Sequence, residues 1–144
     1  MLISEGFQQT AYTLPPAWTS ATTLRAIIRR LASQNAYKVI DDDCQKLERR
    51  LTGDILELYD RVQEPKLVQY DHWGRRVDRL ETSEGWRGLK RVAAEEGIID
   101  IPNKRALGSY SRLHGFAKVY LFYPRCADVG CPMAMTESVS GLII

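Results

Sequence analysis

Cys126 and Cys131 stand five residues apart with His114 upstream, and thiolates and imidazoles are the ligands of zinc. A structural zinc takes four ligands in tighter pairs, and Cys44 is the one other cysteine. Three cysteines make an odd, sparse set that reads as reduced thiols, with no metal expected. A nucleophilic triad would need His72 or His114 beside an activated serine or cysteine, and no Gly-x-Ser-x-Gly elbow supplies one. General acid–base work needs a carboxyl whose surroundings shift its pKa. Asp41-Asp42-Asp43 reads instead as the acidic start of a helix, and Glu95-Glu96 as a solvent-facing helix end. Adjacent arginines at Arg29-Arg30, Arg49-Arg50 and Arg75-Arg76, with aromatics near each, raise a nucleic-acid surface. The first two pairs fall on amphipathic stretches with acids nearby, and 20 Lys plus Arg against 18 Asp plus Glu leaves +2, so nucleic acid is not the expected partner. No Gly-x-Gly-x-x-Gly loop is present to cradle a phosphate.

The elements that hold these residues belong to a chain of 144 residues, 44% hydrophobic and 26% charged, the size and composition of one globular domain. No run approaches the ~20 apolar residues of a membrane helix and the N-terminus lacks the features of a secretory signal, so no membrane and a cytoplasmic location are expected. Residues 1–19 read as an extended arm, because Pro15-Pro16 bars helix while Phe7, Tyr12, Leu14 and Trp18 are spaced to tack it onto a core. Ser20 as N-cap predicts a first helix with Leu24, Ile27, Ile28 and Leu31 on its buried stripe, ending near Asn35. The aspartate triplet predicts the start of the longest helix, with Cys44, Leu47, Leu51, Ile55 and Leu58 inward, Gly53 its weak point and Pro65 its stop.

Two short runs, Leu67 to Tyr70 and Arg75 to Leu80, flank Asp71-His72-Trp73-Gly74 and predict a hairpin. Thr82 or Ser83 then caps a helix carrying Trp86, Leu89, Val92 and Ala93 inward and ending at Gly97. A loop through Gly108 leads to a helix from Ser109 with Leu113, Phe116, Ala117, Tyr120 and Leu121, closed by Pro124. A last helix is capped at Thr136 or Ser138 and turns Val139, Leu142 and Ile143 to the core. The expected fold is mainly α, an irregular bundle of four to five helices with one small hairpin.

Two stretches are more specific than their periodicity. Lys66-Leu67-Val68-Gln69-Tyr70-Asp71-His72-Trp73-Gly74-Arg75-Arg76-Val77-Asp78, followed by Trp86 and later by Cys131-Pro132-Met133-Ala134-Met135-Thr136, resembles the N-terminal helical domain of the acyl-CoA dehydrogenase superfamily, most closely its adaptive-response AidB-like branch. In that branch a Tyr-Asp-x-x-Gly-Arg-Arg-[Val/Leu]-Asp hairpin precedes a Trp-bearing helix, and a Cys-Pro-x-x-Met-Thr segment comes near the domain's end. Both motifs occur here in that order. The resemblance implies a three-part flavoprotein: an N-terminal helical domain, a middle β-domain and a C-terminal bundle, with FAD mainly between the last two. It also implies α,β-dehydrogenation of an acyl-CoA, a carboxylate taking the α-proton while hydride passes to the flavin.

On that resemblance Met133, Met135, Thr136 and Val139 are carried over as acyl-pocket or domain-interface residues, alongside their plainer reading as filler where two domains meet. No catalytic residue and no principal FAD contact is assigned to this chain, since the family's β-domain motif and base-bearing bundle have no counterpart in it. The implied division is an arm (1–19), a helical domain (20–136) and a divergent end (137–144), in a truncated product or gene-model fragment inactive by itself. Its expected partners are the β- and C-terminal domains or a homologous subunit, with acyl-CoA bound only in a complete enzyme. Uncovered faces around Trp86, Phe116, Tyr120 and 133–144 should favour self-association. The alternative function is a small helical interaction or nucleic-acid module using the arginine pairs.

Overall fold

The computed structural model describes residues 9–10 and 12–143. Five helices of ten or more residues make the bundle: α2 (Thr22–Leu31), α3 (Gln34–Leu51), α5 (Glu84–Glu95), α7 (Ser111–Phe122) and α8 (Gly130–Ile143). Three short ones join them: α1 (Ala17–Ser20), α4 (Asp54–Asp60) and α6 (Asp100–Lys104). One antiparallel hairpin, β1 (Lys66–Tyr70) and β2 (Arg76–Glu81), completes the fold, which is mainly helical as its sequence predicts.

The core gathers on α3. Ile40, Cys44, Leu47 and Leu51 recur at helical spacing along it and pack with Trp18, Ile28, Ile55, Leu89, Val92, Leu121 and Phe122. Its start differs from expectation. Ser33 Oγ accepts the Ala36 amide at 3.3 Å and caps the helix, so Asp41, Asp42 and Asp43 lie in its middle rather than at its N-terminus. The apolar period from Ala36 through Ile40 outweighs the preference of aspartate for helix starts. Asp41 is held there by the Trp18 indole N–H at 2.8 Å and by Gln45 at 2.7 Å.

Gly53 splits the long predicted helix into α3 and α4. The arm is shorter than predicted: α1 begins directly after Pro16 and buries Trp18, whereas Tyr12 and Leu14 stay exposed. Phe7 lies outside the described residues. Ser20 ends α1 and caps nothing; α2 begins at Thr22, buries Ile28 and leaves Ile27 and Leu31 exposed. Leu31 is also its last residue, and Asn35 belongs to α3.

The hairpin registers Leu67 opposite Leu80 and Val68 opposite Arg79, with a bulge between Val68 and Tyr70. Asp71 accepts the amides of Trp73 and Arg75, each at 2.9 Å, and Gly74 takes a φ of +77° to close the turn. Ser83 caps α5, accepting the Trp86 amide at 3.2 Å. Gly85 is where α5 meets α4: a Cβ there would strike the Leu58 carbonyl, so only glycine allows the approach.

The predicted loop after Gly97 contains α6, with Pro102 in the first turn, where its missing N–H costs no helix bond. A 3-10 turn at Gly108–Tyr110 precedes α7. Helix α8 starts six residues before the predicted cap. Thr136 and Ser138 sit inside it and donate back to the Pro132 and Ala134 carbonyls at 2.8 and 2.9 Å, which removes them as caps.

Candidate functional site

Helix α8 crosses the bundle near the α5–α6 corner and leaves a groove of about 460 Å³ between them. Ala93 and Ala94 of α5 keep one wall low, Asp100 and Asn103 of α6 extend it, and Met133 and Thr136 of α8 form the other. Val129, buried in the core, joins the lining. The lining is largely apolar, and Lys90 is its one cation. A groove of this kind offers a wall to a hydrocarbon chain. It lacks the cluster of backbone N–H and basic donors that a dinucleotide pyrophosphate requires, so its residues do not fit FAD and no flavin step is derived from them.

The four residues carried over from the resemblance fall on two sides of α8. Met133 is half-buried and lines the groove, and Thr136 lines it too. Met135 and Val139, 64% and 55% exposed, face away onto a shallow apolar depression that Thr136 and Ser140 also border. The expectation that Val139 turns to the core is therefore incorrect: at α8's position in the bundle, the side on which Val139 falls has no described neighbour. The side chains of Leu142 and Ile143 lie outside the described residues.

The α5 end of the groove is anchored by a buried charge cluster. Lys118 on α7 is 2% exposed, and its Nζ donates to the Glu96 carbonyl and to Glu96 Oε2, both at 2.8 Å. The same ammonium stands 3.0 Å from Asp43 Oδ2, which the His114 ring nitrogen Nε2 meets at 2.9 Å. Glu96 Oε1 accepts from Arg50 at 2.6 Å, and Arg50 also pairs with Asp54 and Glu95. Helices α3, α5 and α7 are thus cross-linked directly beneath Gly97. Glu96 is not the solvent-facing acid predicted, because the chain turn at Gly97 folds it back over α7.

The electrostatics mark this cluster as structural. The His114 hydrogen bond, together with Lys118, outweighs burial and holds the Asp43 carboxyl down at about 2. A group so far below neutrality stays ionised and makes a poor general base. Arg50 is pushed upward, first by its hydrogen bond to Asp54, and remains charged. Burial raises the Cys44 thiol to about 12 and raises Cys126 as well, so neither supplies a thiolate. Among the described residues no group of His, Cys, Asp and Glu could hold a metal ion. The buried pairing of Asp43 and Glu96 with Lys118 escaped sequence reasoning. The available signal was His114 and Lys118, four apart beside Ala117 and Leu121: an ammonium and an imidazole on the buried side of a helix require buried polar partners.

The arginine pairs are largely committed. Arg29 lies 4.9 Å over the Tyr37 ring, Arg50 belongs to the cluster, and Arg75 and Arg76 pair with Asp71 and Asp78 at 2.7 and 2.6 Å.

A family model described as the adaptive response protein AidB N-terminal domain matches residues 8–143. The chain belongs to this family. It is 36% identical over 135 residues to acyl-CoA dehydrogenase family member 11 of Caenorhabditis elegans, a match covering 92% of this chain and 22% of that protein. Among solved structures, C. elegans ACDH-11 in complex with C11-CoA superposes with a TM-score of 0.85 at 36% identity, over 92% of this chain and 23% of the other. The apo form of Bd2924 superposes at 0.84 and 36% identity, over 93% and 27%. The chain is thus an AidB-type N-terminal domain of acyl-CoA dehydrogenase-like architecture, spanning about a quarter of the length of the relatives it matches. In this AidB N-terminal domain the two motifs of the resemblance form the hairpin and the first turns of α8. No helix among the described residues is long and apolar enough to cross a membrane.

Proposed function

We propose that this AidB N-terminal domain supplies one wall of an acyl-CoA site in an FAD-dependent dehydrogenase of cytoplasmic location, the flavin and the base being carried by a β-domain and a helical bundle. In this reading residues 20–136 are the helical domain proper, Met133 and Thr136 border the acyl chain, and Met135 and Val139 meet the neighbouring domain. The observation that carries it is the apolar groove between α5, α6 and α8, bordered by an α8 whose other side is also apolar and open. The relative solved with C11-CoA supports the ligand class.

The bound FAD would accept the hydride; this chain's part is to exclude water from the acyl tail and to orient it. The committed arginines and the near balance of charge give the alternative nucleic-acid reading no comparable support. The test is a chimaera in which this chain replaces the N-terminal domain of the C. elegans relative. Retained flavin and bleaching by undecanoyl-CoA support the proposal, and Met133→Glu in the chimaera should weaken that acyl-CoA while flavin stays bound. A chimaera that folds with flavin and responds to acyl-CoA equally well with Met133→Glu overturns it.

A further inference from the structure

Helices α2 and α7 leave an apolar face that the bundle does not cover. A cleft of about 550 Å³ lies between them, lined by apolar and aromatic side chains, among them Leu24 of α2, Leu113, Phe116 and Tyr120 of α7, and Tyr123 just beyond it. Phe116, Tyr120 and Tyr123 recur at helical spacing and are 52%, 60% and 62% exposed. On α2, Ile27 and Leu31 follow Leu24 by three and seven residues, which sets them on the same side of the helix, and both are exposed. An uncovered apolar face of this extent marks an interaction site.

The charge of this face has one sign. Arg112 stands four residues before Phe116 and Arg30 three after Ile27, so each borders the apolar stripe of its own helix. Neither has an ion-pair partner among the described residues. The sequence holds no Asp or Glu between Glu5 and Asp41, nor between Asp100 and Asp128, and these two spans contain the whole of α2 and α7. The acids at their edges are engaged elsewhere: Asp41 with Trp18 and Gln45, Asp100 with Lys104, and Asp128 beside Trp86 at a separate cavity.

We propose that the α2–α7 face docks onto an anionic lipid surface. Tyrosine rings settle at the headgroup level of a bilayer, with the phenol wet and the ring apolar, while phenylalanine, isoleucine and leucine reach the acyl boundary. Arg30 and Arg112 then meet the lipid phosphates and carboxylates at the rim. No helix among the described residues is long and apolar enough to cross a membrane, so the contact is peripheral. A second copy of the chain is a poorer occupant, because a two-fold contact would set two cationic, acid-free faces against each other. Nucleic acid is poorer too, since two arginines beside aliphatic side chains do not make the basic track that follows a phosphate backbone. The inference is independent of the acyl-CoA groove, which opens between α5, α6 and α8.

Co-sedimentation with vesicles tests the proposal. The purified chain should pellet with phosphatidylcholine vesicles that contain phosphatidylserine, stay in solution with phosphatidylcholine alone, and come off as salt is raised. Arg30→Gln and Arg112→Gln should each weaken partitioning about fivefold, the effect of one basic residue at such a surface. Phe116→Ser and Tyr120→Ser should weaken it as well and leave the helical circular dichroism and melting midpoint unchanged, since neither side chain belongs to the core. Tyr120→Phe, which keeps the ring, should retain most of the binding. A chain that ignores phosphatidylserine vesicles overturns the proposal, as does one that binds them equally well with Arg112→Gln and Phe116→Ser combined. So does a chain dimer that Tyr120→Ser dissociates, or salt-sensitive binding of duplex DNA without binding of vesicles. Loss of flavin from the chimaera on Tyr120→Ser would also overturn it, by placing a neighbouring domain on this face.

Discussion

Replacing Lys118 by methionine tests the charge cluster most directly. The substitution keeps an unbranched stem as far as Cε and removes the ammonium. It deletes two hydrogen bonds, to the Glu96 carbonyl and to Glu96 Oε2, and a contact at 3.0 Å with Asp43. Breaking a buried pair from one side costs ~3–5 kcal/mol, because the other charge stays desolvated. Here Glu96 keeps Arg50 and Asp43 keeps His114, so the lower end applies, about 3 kcal/mol. Against the ~5–15 kcal/mol of a typical domain that is a large fraction.

The pH dependence has a definite sign. Asp43 has a folded pKa of about 2 against an ordinary 3.8, so its contribution is complete above 3.8 and is lost as pH falls through 2. The shift corresponds to on the order of 2 kcal/mol. Urea unfolding followed by helical circular dichroism, on wild type and on Lys118→Met at pH 7 and again near pH 3, reads both effects. Wild type should weaken progressively toward acid, and the variant, whose Asp43 has lost the Lys118 ammonium and keeps only the His114 hydrogen bond, should weaken by less. A variant within about 0.5 kcal/mol of wild type at pH 7 would refute the reasoning, since exposed substitutions fall in that range. If the variant fails to fold, Lys118→Arg, which retains the charge, should restore the fold at reduced stability.

Three further outcomes follow from the same structure. Cys44 and Cys126 are buried with raised thiol pKa values and Cys131 is exposed, so a thiol reagent should label one cysteine in the native chain and three after unfolding; fast native labelling of two would contradict the packing. Ser33→Ala should lower stability by about 1 kcal/mol by removing the α3 cap, measurable as a shift in urea midpoint with unchanged slope. Gly85→Ala should cost ~1–3 kcal/mol by forcing α5 away from the Leu58 carbonyl, whereas Gly74→Ala, whose Cβ meets nothing within 4 Å, should lose only the backbone strain of its positive φ; equal losses at both sites would speak against a close α4–α5 approach.

Local chemistry and periodicity, which act over a few residues, were readable from the chain alone. Gly74 and Asp71 specify the hairpin turn, Ser83 and Gly97 bound α5, and the order of the hairpin and Cys-Pro-x-x-Met-Thr motifs is enough to place the chain in its family. Helix starts were legible only where one signal stood alone. At Asp41–Asp43 a local preference competed with an apolar period running through Ala36 and Ile40, and burial decided between them. The groove and the charge cluster depend on residues far apart in sequence, Asp43 with His114, Arg50 with Glu96, Met133 with Ala93. No window of sequence contains both members of such a pair. Whether an aspartate is a solvated helix start or the ionised centre of a buried cluster is set by what the fold lays over it, and that is a property of helices α3, α5 and α7 packed together.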